Sequence, residues 1–176
     1  PLGYQASTGL GMDPDGVSGH EHHVGVLLDK GKELGLDENR IVDRDAAGLE
    51  AVAAELRAAR RDRQVTTYVV DLSDRDSALA VAETIRDNHP HLHLLVNNAG
   101  VALSGRLDQV SLDDIDWVLS INLHAVILMT HTLLPSLVST QGSHVVNVSS
   151  LFGIIGPPGQ AAYVASKFAV RGFSDS

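Results

Sequence analysis

Three short apolar stretches, separated by segments of helical character, constrain this chain of 176 residues more than any other feature. "VTTYVVDL" (65–72) is rich in β-branched residues, and "LHLLVNNAG" (92–100) and "SHVVNVSS" (143–150) are apolar without clean alternation. Helical spacing runs through "AAGLEAVAAELRAARR" (46–61) and through "DRDSALAVAETIRDNH" (74–89), whose opening aspartates can cap a helix. The segment 111–138 reads as one long helix with Ser111 as N-cap and aspartates in its first turn, and 160–176 opens a last helix. Strands that are apolar on both faces, alternating with helices, predict an α/β fold: a doubly wound parallel sheet with helices on both faces. Such sheets bind ligands beyond the carboxyl ends of their strands, which is where Asp71, Asn98 and Ser150 fall.

Residues 1–42 follow no such pattern. "ASTGLGMDPDGVSGHEHHVG" (6–25) mixes glycine, proline and histidine without a period of 2 or 3.6 and reads as loop. "VGVLL" (24–28) and "RIVD" (40–43) are candidate strands, but the 11 residues between them are marginal for the crossover that a parallel pair needs. The expected organisation is an atypical segment 1–42 followed by a partial domain 43–176, incomplete at both ends.

Charge and composition narrow the function classes. A net charge of −9 argues against sequence-independent nucleic-acid binding and against adhesion to anionic membranes. No cysteine is present, which excludes disulfides, zinc-thiolate sites and a thiol nucleophile. No wholly apolar run approaches the length of a membrane span and no signal-like segment opens the chain, so a cytoplasmic location is expected. "GHEHH" (19–23) lacks the spacing of a metal-binding helix and is read as solvated loop, so no metal is expected.

Five polar positions invite chemistry. Tyr163 and Lys167 are four apart, one turn along one helical face. A tyrosine with its reference pKa of about 10 is a poor acid or base, and a neighbouring ammonium favours its phenolate. Such a pair is a proton-transfer device for an alcohol or carbonyl, or else a surface aromatic beside a surface lysine. Ser149 and Ser150 end a strand, where a hydroxyl can meet a substrate oxygen or satisfy the turn backbone. Asn122 lies mid-helix among apolar neighbours, where an amide needs a buried partner or a functional one.

Together, "NNAG" (97–100), Asn122, Ser150 placed 13 residues before Tyr163, and "YVASK" (163–167) resemble the short-chain dehydrogenase/reductase family. "VDLSD" (70–74) and "DRDAAGL" (43–49) fit it too, and the resemblance runs from about Asp43 to the last residue. It implies a Rossmann-like fold and a hydride transfer between a nicotinamide cofactor and a secondary alcohol or ketone. By that resemblance Tyr163 is the general acid/base, Lys167 supports it and holds the nicotinamide ribose, Ser150 orients the substrate oxygen, and Asn122 anchors a water. Asp71 and Leu72 would meet the adenine, and Asn98, Ala99 and Gly100 would let the cofactor approach. Asp43 at a strand end would accept from the adenosine ribose and repel a 2′-phosphate, favouring NAD over NADP, with Arg44 softening that preference. The apolar residues after Ser150 (Leu151, Phe152, Ile154, Ile155, Pro157, Pro158) would line the substrate pocket. Family members form homo-oligomers through the helices that correspond to 111–138 and 160–176.

The resemblance breaks at the glycine-rich turn that holds the pyrophosphate. "STGLGMD" (7–13) has the wrong spacing for it, and the chain stops within the helix that carries Lys167. The chain is therefore read as a partial member of the family, truncated or rearranged, with a non-catalytic remnant or interaction module as the alternative.

Overall fold

A computed structural model describes the backbone of residues 25–31, 35–59 and 64–176, and side chains from Glu38 onward. Five strands form one sheet: β1 (Gly25–Gly31), β2 (Gly35–Asp43), β3 (Gln64–Val69), β4 (Leu94–Asn97) and β5 (His144–Asn147), in the order β3-β2-β1-β4-β5. The helices are α1 (Ala46–Ala59), α2 (Arg75–Asn88), a continuous helix of α3 (Leu112–Leu119) and α4 (Ala125–Val138), and α5 (Ala161–Asp175).

Two adjacent residues of β2 assign the layers. Side chains alternate across a strand. Ile41 packs with Leu49 and Ala53 of α1, whereas Val42 joins Ala82, Ile85, Met129, Leu133 and Leu137 of α2 and α4. Helix α1 therefore covers one face and α2 with α4 the other, as a doubly wound sheet requires. Each fully buried leucine, such as Leu95 or Leu133, contributes roughly 1.5–3 kcal/mol to this core.

The pairs β2–β3 and β4–β5 are parallel, as expected, but β1 is antiparallel to both of its neighbours. This corrects the expectation of an all-parallel sheet, and the reason is connection length. Strand β2 begins at Gly35 rather than near Arg40, leaving only a short link from Gly31, and a short link can join only antiparallel strands. The candidate "VGVLL" does take the central slot, facing the other way. A second correction concerns β5. It is an edge strand, and Val145 and Val146 are exposed rather than covered on both faces.

Helix caps follow the sequence. The Asp74 side chain accepts from the Asp76 amide, and the Ser111 hydroxyl accepts from the Asp114 amide at 3.0 Å. The helix from Leu112 to Val138 spans 27 residues and contains an 18-residue stretch of mean hydropathy 1.5, long and apolar enough by composition to cross a membrane. Its apolar face is instead used against α2, the sheet and α5. Between α3 and α4 it widens into a π turn, Ser120–His124, which holds Asn122. Such turns frequently occur at functional sites.

Candidate active site

The carboxyl ends of β2, β3 and β4 open onto a cleft in two joined parts. One part is lined by Asp43, Arg44, Val70, Asp71, Leu72, Ala99, Gly100, Val101 and Ile121. The other is lined by Asn98, Gly100, Val101, Ala102, Val148, Ser149, Tyr163 and Lys167. Gly100 and Val101 belong to both. A Cβ on Gly100 would stand 3.4 Å from Asn122 Oδ1 and 3.5 Å from Lys167 Nζ, narrowing the passage where the two parts meet.

Helix α5 presents Tyr163 and Lys167 together. The ammonium lies 5.7 Å from the Tyr163 ring centroid and donates to the Val148 carbonyl at 3.1 Å. Lys167 is only 5% exposed, and this burial pushes its pKa below the usual 10.5. Phe152 meets the Tyr163 ring edge-on at 6.1 Å and 84°, a favourable aromatic geometry that steadies the ring.

Ser150 caps the short 3-10 turn Leu151–Gly153, its Oγ accepting from the Phe152 amide at 3.2 Å. That bond takes a lone pair and leaves the hydroxyl proton available to donate. Ser149, the residue before it, lines the cleft beside Tyr163 and Lys167.

Asn122 is 1% exposed, and both its amide protons and its oxygen are hydrogen-bonded. Its Oδ1 accepts from the Val101 amide at 2.8 Å, and its Nδ2 donates to the Val101 carbonyl at 2.9 Å and to Ser166 Oγ at 3.1 Å. Ser166 in turn donates to the Tyr163 carbonyl at 2.7 Å. Asn122 thus ties the loop after β4 to α5, and one Oδ1 lone pair remains beyond these bonds.

At the far end of the cleft, the carboxylates serve the backbone as well as facing the space. Asp43 Oδ1 accepts from the Asp45 amide at 2.8 Å, and Asp71 Oδ1 accepts from the Ser73 amide and hydroxyl at 2.8 and 2.7 Å. One end of the cleft offers a carboxylate and the other a tyrosine and lysine, which suits the two ends of a dinucleotide. The middle fits less well. Gly25 pairs with Val42, so β1 starts at the cleft and ends away from it, and no helix following β1 can aim its N-terminus there.

Sequence reasoning did not single out Gly153, Ser166 or the backbone of Val101. A Cβ on Gly153 would come within 2.5 Å of Ser149 Oγ and 2.9 Å of the Lys167 carbonyl oxygen. Glycine between "SLF" and "II" was the one available signal. The histidines of "GHEHH" and the glycines of "STGLGMD" lie outside the described residues.

A doubly wound sheet with a tyrosine and a lysine facing a cleft at its strand ends defines an α/β protein of Rossmann-like architecture. Residues 33–176 match the short chain dehydrogenase family, and the chain belongs to it. It is 34% identical over 171 residues to SadH of Mycobacterium tuberculosis, named as an oxidoreductase, covering 91% of this chain and 61% of that one. Among solved structures it is similar to a metagenomic short-chain oxidoreductase in complex with NADP (TM-score 0.69, 32% identity, 75% of this chain and 59% of that one). It is equally similar to a short-chain dehydrogenase/reductase from Burkholderia phymatum in complex with NAD (TM-score 0.69, 32% identity, 76% and 47%). The chain spans 33 to 61% of the length of the curated relatives it matches.

Proposed function

We propose that this chain carries the catalytic centre of an oxidoreductase that interconverts a secondary alcohol and a ketone, with NAD preferred over NADP. A bound nicotinamide would supply or accept the hydride. Tyr163 gives a proton to the substrate oxygen in reduction and takes it back in oxidation. The Lys167 ammonium stabilises negative charge on the Tyr163 oxygen, and the Ser150 hydroxyl donates to the substrate oxygen. Asn122 holds the Val101 loop and α5 in place and offers its remaining Oδ1 lone pair to a water.

The observation that carries this reading is the buried Lys167 against Tyr163 at the edge of a cleft that also holds Asn98 and Gly100. Asp43 and Asp71, with Leu72 and Ala99, would receive the adenosine end, and the carboxylate of Asp43 disfavours a 2′-phosphate. Ile127, Leu134, Val138 and Phe168 are exposed on α4 and α5, which supports self-association through 111–138 and 160–176. A cytoplasmic location completes the reading.

The direction of β1 favours one alternative, a non-catalytic module, because among the described residues no helix follows β1 at the cleft to seat a pyrophosphate. NADH fluorescence on titration with the protein separates the two. Quenching or a blue shift, with turnover of a test alcohol that Tyr163→Phe reduces by at least about a hundredfold, supports the enzyme. No response at millimolar NADH leaves the non-catalytic module.

A further inference from the structure

Of the two serines that end β5, the one with no assigned part makes the closest connection to the catalytic helix. Ser149 Oγ donates to the main-chain carbonyl of Lys167 at 3.0 Å, while the Lys167 ammonium donates to the carbonyl of Val148 at 3.1 Å. A helical carbonyl has a second lone pair, so the serine bond adds to the helix ladder without breaking it. Lys167 is therefore held at two points, backbone and side-chain tip, by two consecutive residues of the strand end. The third partner at this junction is Gly153, where a Cβ would reach 2.5 Å from Ser149 Oγ. A methyl group on Gly153 would not fit against Ser149 and the Lys167 backbone.

We propose that Ser149 is a positioning residue: its hydroxyl pins α5 to the end of β5 and so sets where Lys167 and Tyr163 stand in the cleft. It touches neither substrate nor cofactor in this role and acts through Lys167. Its kinetic consequence rests on the oxidoreductase reading above, but its geometric consequence does not. In the wild type the Lys167 amine is shielded by burial. Without the Ser149 bond, α5 loosens at Lys167, and the amine becomes more accessible.

The test compares wild type, Ser149→Ala and Ser149→Thr by limited acetylation with acetic anhydride, read at Lys167 by mass spectrometry. Ser149→Ala is expected to label about fivefold faster at Lys167, the factor that one neutral hydrogen bond corresponds to, and Ser149→Thr to return toward wild type. In turnover assays Ser149→Ala should lower kcat by a similar factor, leave KM for the alcohol within about twofold, and move the midpoint of the pH–rate profile. Ser149→Thr should restore both. Unchanged labelling together with an unchanged pH–rate profile in Ser149→Ala would overturn the proposal. A wild type that neither binds NADH nor turns over alcohol removes the oxidoreductase reading alone, because the labelling comparison still decides the role of Ser149. If Ser149→Ala loses its thermal transition, Ser149→Cys makes the same comparison with a weak donor of similar size, and faster labelling at Lys167 is again the expected result.

Discussion

Replacing Gly153 by alanine places a methyl group where the fold has no space for one. The new Cβ would lie 2.9 Å from the Lys167 carbonyl oxygen, 3.3 Å from its carbon and 2.5 Å from Ser149 Oγ. The serine hydroxyl can rotate away, but the Lys167 backbone cannot, so α5 and the 3-10 turn must move apart. Overpacking of this kind costs roughly 1–3 kcal/mol. Separation also threatens the bond from Ser149 to the Lys167 carbonyl, worth about another 1 kcal/mol. The sum is roughly 2–4 kcal/mol, which for a chain of this length corresponds to a fall in Tm of roughly 4–16 °C. Circular dichroism melts measure it, with Gly172→Ala in α5 as the control. A Cβ there meets nothing within 4 Å, and removing a helical glycine should raise stability by about 0.5–1 kcal/mol. Opposite signs for the two glycines are the expected result. A Gly153→Ala protein that melts within about 1 °C of wild type would refute the steric reasoning.

Two other perturbations probe the same site from different sides. Burial lowers the pKa of Lys167 in the folded state below the 10.5 of the exposed group, so between those two values the unfolded chain binds more protons than the folded one. Stability from this group therefore rises with pH through that window, and below it the buried ammonium is a cost. Urea midpoints should climb toward alkaline pH in wild type relative to Lys167→Met, and parallel pH curves would contradict this. Asn122→Ala strands the buried Val101 amide and carbonyl and removes the bond that Ser166 Oγ accepts, at a cost of roughly 2–4 kcal/mol in urea unfolding. A loss below about 1 kcal/mol would mean that water replaces the amide.

The local chemistry of the chain was legible wherever a residue acts on its own neighbourhood. Ser111 and Asp74 cap their helices as their positions imply, because capping joins residues two or three apart. Tyr163 and Lys167 share a helical face because the helix repeat alone puts them there. The cluster of Asn98, Gly100, Tyr163 and Lys167 around one cleft follows from strand ends meeting at one edge of the sheet. Asn122 was correctly marked as needing a partner, but its three bonds reach Val101 and Ser166, residues 21 and 44 positions away.

What the sequence by itself determined is the alternation of strands and helices and the residue types gathered at the strand ends. These depend on periodicity and on short-range bonds, both written along the chain. Tertiary structure decided the direction of β1 and the division of labour between the two serines. An apolar strand reads the same in either direction, so its orientation depends on how short a link joins it to the next strand. The bond from Ser149 to Lys167 crosses 18 residues and exists only because Gly153 lets β5, the turn and α5 close to contact.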